Sequence, residues 1–400
     1  MIVYKISHLL PSLDNHLPKV VNITDAENGG EPLIFDVRDK LNRSKSELDP
    51  IYELDSKGFN YVSKNITPRH RLKDLLTKQY NSQMVTNAFT KSWEIVRQFN
   101  LIKPNTPFTY FDNANLPGAF VSAINQIAAE QNAPMTWYAS SYMPKDAEKT
   151  DAESLSHLGD TYNLYKHNKT NYLNSDTNDG NLYIKSTIED FKNKIPKTID
   201  LYTSDYGTDQ TAETFNTQEE VTLRGNFGQV LSALVTLKKG GTMFTKQFTF
   251  FLPFNVSLLQ FLSRLFENVY IVKPLTSNPS NSEVYILAQN FLDNLTDEDI
   301  AQLMNLLEKE DIEKYVISPL NKEFADATLN IMEKIAESTI KHIRMVIEYY
   351  INYKSKDKRK QYYSDVEQLN NEQIKIWSKN YLPTQRLSKE YMLKIDKPSY

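Results

Sequence analysis

The segment TPFTYFDNANLPGAFVSAINQIAAEQNAPMTWYASSY (106–142) sets the rhythm of the chain. A strand that ends in polar residues (106–115) is followed by a turn and helix (116–131), then by a second strand (135–142). The alternation continues with a short helix at 188–195 and a strand at 198–207. An apolar helix at 218–238, a strand at 240–248 and a helix at 253–266 follow. Such βαβ alternation predicts a parallel sheet with helices on both faces. The last two strands, NVYIVKP (268–274) and SEVYILAQNF (282–291), are joined by a short loop, which predicts an antiparallel last strand. The expected fold class is therefore α/β, a Rossmann-like sheet with an antiparallel last strand and a helical C-terminal region.

The flanks read differently. Residues 1 to about 70 mix Pro, Gly, Asn and Asp with short apolar pieces and suggest an irregular, partly wrapped extension. Residues 68–100 read as helical, with Val85, Phe89, Trp93 and Val96 at three- and four-residue spacing. Beyond 295 the chain is helical and charged. Thr296 followed by Asp299 is a form of the capping box. The stripe Ile331, Ile335, Ile340 and Ile347 predicts packing of the C-terminal helices on the domain, or a surface for a protein partner. Three regions result: an extension (1–74), a central domain (75–294) and a helical C-terminal region (295–400).

Composition bounds the function. The 400 residues are 40% hydrophobic and 24% charged, with a net charge of −4, so any nucleic-acid surface is a local patch. The absence of cysteine excludes disulfides, thiolate nucleophiles and cysteine-ligated metal sites. None of the six histidines pairs at ligand spacing, and no metal is expected. The opening residues carry no basic start followed by a long apolar run, and no run reaches the roughly 18 apolar residues of a membrane span. A cytoplasmic protein with no membrane contact is expected.

In an open α/β sheet ligands bind at the carboxyl ends of the strands. Asp205 and Lys246 end two strands. Glu283 enters the last strand after the polar loop TSNPSNS, and antiparallel pairing brings it to the same edge. Lys91 lies in the helix before the first strand. Singly, each has an ordinary role as a solvated side chain, a turn former or a cap. Jointly, two lysines and two carboxylates form a cluster able to handle a proton from a weakly acidic hydroxyl. The turn LPGAF sets Pro117 and Gly118 where a loop passes close to a ligand, with Leu116 to Phe120 beneath it. It is neither a GxxxxGK[ST] nor a full GxGxxG loop. Lys273 and Arg264 read either as contacts to RNA phosphates or as solvated surface, the second being favoured. The basic run KSKDKRK (354–360), beside Tyr362 and Tyr363, reads either as a phosphate contact with aromatic stacking or as the solvated end of a helix.

The segments VTNAFTKSWEIV (85–96), LPGAFVSAIN (116–125), WYASS (137–141), DLYTSDYG (200–207), KKGGTMFTKQF (238–248) and PSNSEVYIL (279–287) resemble the FtsJ-type (RrmJ-like) ribose 2′-O-methyltransferases. The likeness points to the mRNA cap-modifying branch and to the FtsJ-like enzymes of large cytoplasmic DNA viruses of the asfarvirus kind. It covers roughly residues 75 to 292. It implies a methyltransferase sheet, the cofactor S-adenosyl-L-methionine, and RNA, with capped mRNA as substrate, in the host cytoplasm or virion. The family's Lys–Asp–Lys–Glu tetrad falls on Lys91, Asp205, Lys246 and Glu283, with Lys246 steering or deprotonating the 2′-hydroxyl. The cofactor loop falls on Asp112, Leu116, Pro117, Gly118, Ala119 and Phe120, and Asp179 matches a loop carboxylate over the adenine. The loop departs from the family's DxxxxPGGF pattern in Ala119, which replaces the second glycine, and in Leu116. That departure leaves a rival reading open, a non-catalytic RNA-binding or scaffold protein that keeps the fold.

Overall fold

The computed structural model describes residues 1–9, 21–29, 36–143, 159–207 and 216–396. Its strands are β1 (Ile2–Lys5), β2 (Thr24–Asp25), β3 (Phe108–Asn113), β4 (Met135–Ser140), β5 (Ile199–Ser204), β6 (Leu237–Gln247), β7 (Phe266–Lys273), β8 (Val284–Phe291) and β9 (Tyr315–Val316). The longer helices are α1 (Asp36–Ser46), α2 (Asp49–Asn65), α3 (Arg69–Tyr80), α4 (Asn87–Gln98), α5 (Ala119–Glu130) and α6 (Lys185–Lys194). They continue with α7 (Gln218–Thr236), α8 (Pro253–Leu265), α9 (Asp297–Leu307), α10 (Lys322–Lys354) and α11 (Arg359–Tyr381).

The seven-stranded sheet has the order β1-β7-β8-β6-β5-β3-β4. Pairs β3–β4, β3–β5 and β5–β6 are parallel. β8 runs antiparallel to both β6 and β7, as the short loop before it predicts. Residue alternation divides the core. Phe111, Tyr202, Met243 and Ile286 join α6, α7 and α8 on one face. Tyr110, Leu201, Phe244 and Tyr285 join α3, α4 and α5 on the other. Both faces are covered, which is why the strands read as nearly continuous apolar runs. The Rossmann-like α/β class follows from this topology.

Three expectations change. The N-terminal extension is not irregular throughout. Ile2–Lys5 pairs antiparallel with the free edge of β7, and Phe59 and Val62 of α2 pack with Ile343, Val346 and Tyr350 of α10. Both contacts are long-range, so local composition carries no trace of them. The helical stretch 68–100 is two helices. Asn81 takes the left-handed conformation (φ 56°) that ends α3, and Asn adopts it readily. Apolar spacing runs through the break because both helices face one core. Finally, Tyr362 is buried among Tyr349, Tyr353 and Tyr363, so it is not a free stacking platform.

Other features appear as read. Thr296 and Asp299 form a reciprocal capping box at α9. Ile331, Ile335 and Ile340 pack into the core on the α7–α8 face of the sheet. The end of α11 then returns to the opposite face. Trp377 and Tyr381 are buried with α4 and α5, and the Trp93 indole donates to the Tyr381 carbonyl at 2.7 Å. Leu387 N–H closes on the Tyr80 carbonyl at 2.9 Å.

Removing the fully buried Trp377 indole leaves a large void. Trp377→Ala is expected to lower the unfolding free energy by about 3–5 kcal/mol, as for other buried aromatic truncations. Denaturant titration checks it; a loss below about 1 kcal/mol would mean that α11 is not docked as described.

Candidate active site

The four polar residues singled out from sequence meet at one edge of the sheet. Glu283 stands just before β8, whose register sets Lys246 opposite Tyr285 and Gln247 opposite Val284. Lys91, in the middle of α4, reaches the Glu283 carboxylate at 2.6 Å, and both residues are buried. Lys246 Nζ lies 3.4 Å from Asp205 Oδ1 and donates to the Asp205 carbonyl at 2.8 Å. The cluster is thus two pairs. The Lys91–Glu283 pair is buried, and the Lys246–Asp205 pair borders a cleft. Burial opposes the charge on Glu283, but Lys91 and Lys246, with the hydrogen bond from Ser277 (2.8 Å), overcome it. The carboxyl is held well below the ordinary glutamate range.

Several contributors were not singled out. Tyr285 donates from its hydroxyl to Asp205 Oδ1 at 2.9 Å. Burial, then the charges of Asp205 and Glu283, keep that phenol well above its ordinary range and so protonated. Lys273, read as solvated, is buried. Its ammonium donates to the carbonyls of Asn281 (2.8 Å) and Glu283 (2.9 Å), and burial pulls it down to about 8 against the attraction of Glu283. It lies at the end of β7 beneath the polar loop, a placement that only strand pairing reveals. Glu94, one turn after Lys91, accepts from Leu275 N–H (2.6 Å), Thr276 N–H (3.1 Å), Thr276 Oγ1 (2.6 Å) and the Trp377 indole (3.1 Å). It ties the loop that presents Glu283 to the helix that carries Lys91. A carboxylate within an apolar helical period was the available signal.

A cleft of about 680 Å³ opens at the carboxyl ends of β3, β4 and β5, lined by Ala114, Leu116, Ser141, Tyr142, Gly180 to Tyr183 and Asp205 to Gly207. Around β3 the strand order turns both ways, the usual place for a ligand in such a sheet. Of the predicted cofactor residues, only Leu116 is among those that line this cleft; Asp179 stands next to Gly180, which does. Pro117 follows Leu116 through a cis bond, and Gly118 (φ 101°) starts α5. Ala119 and Phe120 point into the core. Asp112 is buried behind the cleft. It accepts from Thr203 (2.7 Å) and Asn115 (2.6 Å), and Asn115 in turn accepts from the Tyr172 hydroxyl at 2.5 Å. Burial raises Asp112 to about 7 despite those bonds. Its side chain braces the β3 turn. Asp179 accepts from Asn181 N–H at 2.9 Å, shaping the Gly180 turn at the cleft wall. A Cβ on Gly180, which has φ +80°, would collide with the Ser141 carbonyl oxygen.

The FtsJ-like methyltransferase family model matches residues 84–291, and the chain belongs to that family. The probable methyltransferase EP424R of African swine fever virus (isolate Pig/Kenya/KEN-50/1950) is 36% identical over 284 residues, 67% of this chain and 64% of the relative. The protein L511 of Acanthamoeba polyphaga mimivirus is 28% identical over 301 residues, 74% of this chain and 37% of the relative. A Drosophila melanogaster protein named cap-specific mRNA (nucleoside-2′-O-)-methyltransferase 2 is 28% identical over 264 residues, 64% of this chain and 36% of the relative. The match thus spans less than two thirds of these relatives' lengths. Among the described residues no helix is long and apolar enough to cross a membrane.

Burial raises Glu94 from its ordinary 4.5 to about 7, against its four donors. The folded chain then holds a proton that the unfolded chain releases between those values, so this group's contribution falls as pH rises from about 4.5 to about 7. Glu94→Gln removes the titration but also loses acceptor sites. The variant is expected to be less stable than wild type at pH 5, and that gap should narrow by up to about 3 kcal/mol by pH 8. Denaturant titrations at both pH values test it; a constant gap would show Glu94 ionised throughout.

Proposed function

We propose that this chain is an S-adenosylmethionine-dependent RNA ribose 2′-O-methyltransferase acting on the 5′ cap of mRNA. The observation that carries the reading is the convergence of Lys91, Asp205, Lys246 and Glu283, in two ion pairs, beside a cleft at the strand ends. Family membership supports the methyl donor, and the cap-specific name of the Drosophila relative supports the substrate. The viral relatives support action in the host cytoplasm or virion.

The cleft volume lies within the range of small-molecule sites. The fit to the cofactor rests on the backbone of Gly180 to Tyr183, where the missing Cβ of Gly180 lets it pack directly on the Ser141 carbonyl and form the cleft wall, and on the Ala114 to Leu116 turn. When bound there, S-adenosylmethionine supplies an electrophilic methyl group. Asp112 holds the β3 turn, and Asp179 shapes the facing wall. Lys246, beside the cleft, steers the ribose 2′-hydroxyl; once it has passed its own ammonium proton to solvent, the free amine takes the hydroxyl proton as the methyl group is transferred. Asp205 orients the Lys246 ammonium, helped by the Tyr285 hydroxyl. Lys91 and Glu283 set the local field, nearly neutral overall, so that the hydroxyl meets a fixed arrangement of charges rather than mobile water. Alignment of the hydroxyl contributes much of the acceleration.

The test is methyl transfer from labelled cofactor to capped RNA, compared with the same RNA already methylated on the first transcribed 2′-hydroxyl. Incorporation is expected only with the free hydroxyl. Lys246→Ala is expected to lower it by about 100-fold or more, the scale of a lost proton-transfer group, with cofactor binding retained. A loss of only a few-fold would remove Lys246 from that role. Gly180→Ala is expected to weaken cofactor binding about tenfold or more, because its Cβ would force apart Gly180 and Ser141, which both line the cleft; unchanged affinity in calorimetry would move the cofactor elsewhere.

A further inference from the structure

A second pocket, of about 300 Å³, lies on the α4 side of the tetrad. Lys64 at the end of α2 and Arg69, His70 and Lys73 at the start of α3 form one wall; Val85, Thr86, Asn87 and Thr90, at the start of α4, form the other. None of its lining residues is acidic. Thr90 directly precedes Lys91 in α4, which sets the pocket near the buried Lys91–Glu283 pair. Arg69 is half-buried, its enclosed Nε has no hydrogen-bond partner among the described residues, and the rest of its guanidinium lies at the pocket wall, close enough to Glu283 to feel its charge. A guanidinium withdrawn from water with an unused donor is costly unless an anion completes it. Thr86 makes no side-chain cap at α4, so the first turn also keeps donors available on this side.

We propose that this pocket binds a backbone phosphate of the RNA strand entering the active site. The inference rests on the RNA methyltransferase reading and adds a substrate contact to it. Lys64, Arg69, His70 and Lys73 all precede the residues matched by the family model. The N-terminal helices therefore take part in substrate binding and do not merely cover the domain. Contacts of this kind fix the register of the strand without reading its sequence.

The experiment compares wild type, Arg69→Gln/Lys73→Gln, Lys73→Gln alone and Lys78→Gln. Lys78 is an exposed lysine on the same helix, paired with Asp74 outside the pocket. Binding of a short capped RNA oligonucleotide is followed by fluorescence anisotropy at increasing salt. The double variant is expected to bind at least about tenfold more weakly, with a salt slope reduced by about one to two. Lys73→Gln, an exposed site, shows a smaller loss of the same kind and keeps the test open if Arg69→Gln disturbs the fold. Lys78→Gln matches wild type. Calorimetric cofactor affinity in the same samples reports the integrity of the domain. Unchanged RNA affinity and slope in the pocket variants, an equal loss in Lys78→Gln, or no RNA binding by wild type would overturn the proposal. RNA held through the pocket without methyl transfer would sink the methyltransferase reading and leave the pocket standing.

Discussion

The loop between β7 and β8 is polar in sequence and buried in the fold, and the site depends on how it is held. Thr276, Ser277 and Ser282 are almost fully enclosed. A loop out of water must find partners for its backbone groups. Glu94 takes two of its amides and the Thr276 hydroxyl, while Lys273 donates to two of its carbonyls. Between these anchors the chain delivers Glu283 to Lys91. One acidic and one basic side chain, both deep in the protein, thereby set the position of a third and a fourth.

This support explains why the cluster tolerates burial. An ion pair withdrawn from water is stable only when further hydrogen bonds complete it. Ser277 does so for Glu283, and Tyr285 for Asp205. The two pairs differ in access. The Lys91 and Lys246 side chains are similarly enclosed, and the difference lies in Asp205, which is more exposed than Glu283 and lines the cleft. The enclosed pair is suited to hold charge in place, and Asp205 brings the other pair to the cleft wall. Within the two pairs the opposite charges nearly cancel.

Segments outside the family-matched residues reinforce the same edge. β1 covers the free edge of β7, the strand that ends at Lys273. Trp377 of α11 donates to Glu94, so the C-terminal helices reach the clamp behind the site. α2 and α3 build the basic pocket in front of α4. Both flanks thus bear on one helix, α4, which carries Lys91 on the site side and Glu94 one turn further.

Much of this was legible in the residues. Alternating strand and helix patterns declared the sheet, and the short 275–281 connection declared the antiparallel β8, because a short loop cannot carry a parallel crossover. Asp205, Lys246 and Glu283 at strand ends, and Lys91 in the helix before the first strand, were found the same way, since period and polarity are local properties. Lys273, Glu94, Tyr285 and the Asp112 network were not. Each stands in an apolar or loop context that looks ordinary until strands pair and side chains meet from positions up to 283 residues apart, as Glu94 and Trp377 do. The helical break at Asn81 and the docking of β1 and α2 were hidden for the same reason. Sequence periodicity determines which face of an element is buried; which distant polar group waits there is decided only when burial removes water and leaves each charge and amide to find its partner inside the fold.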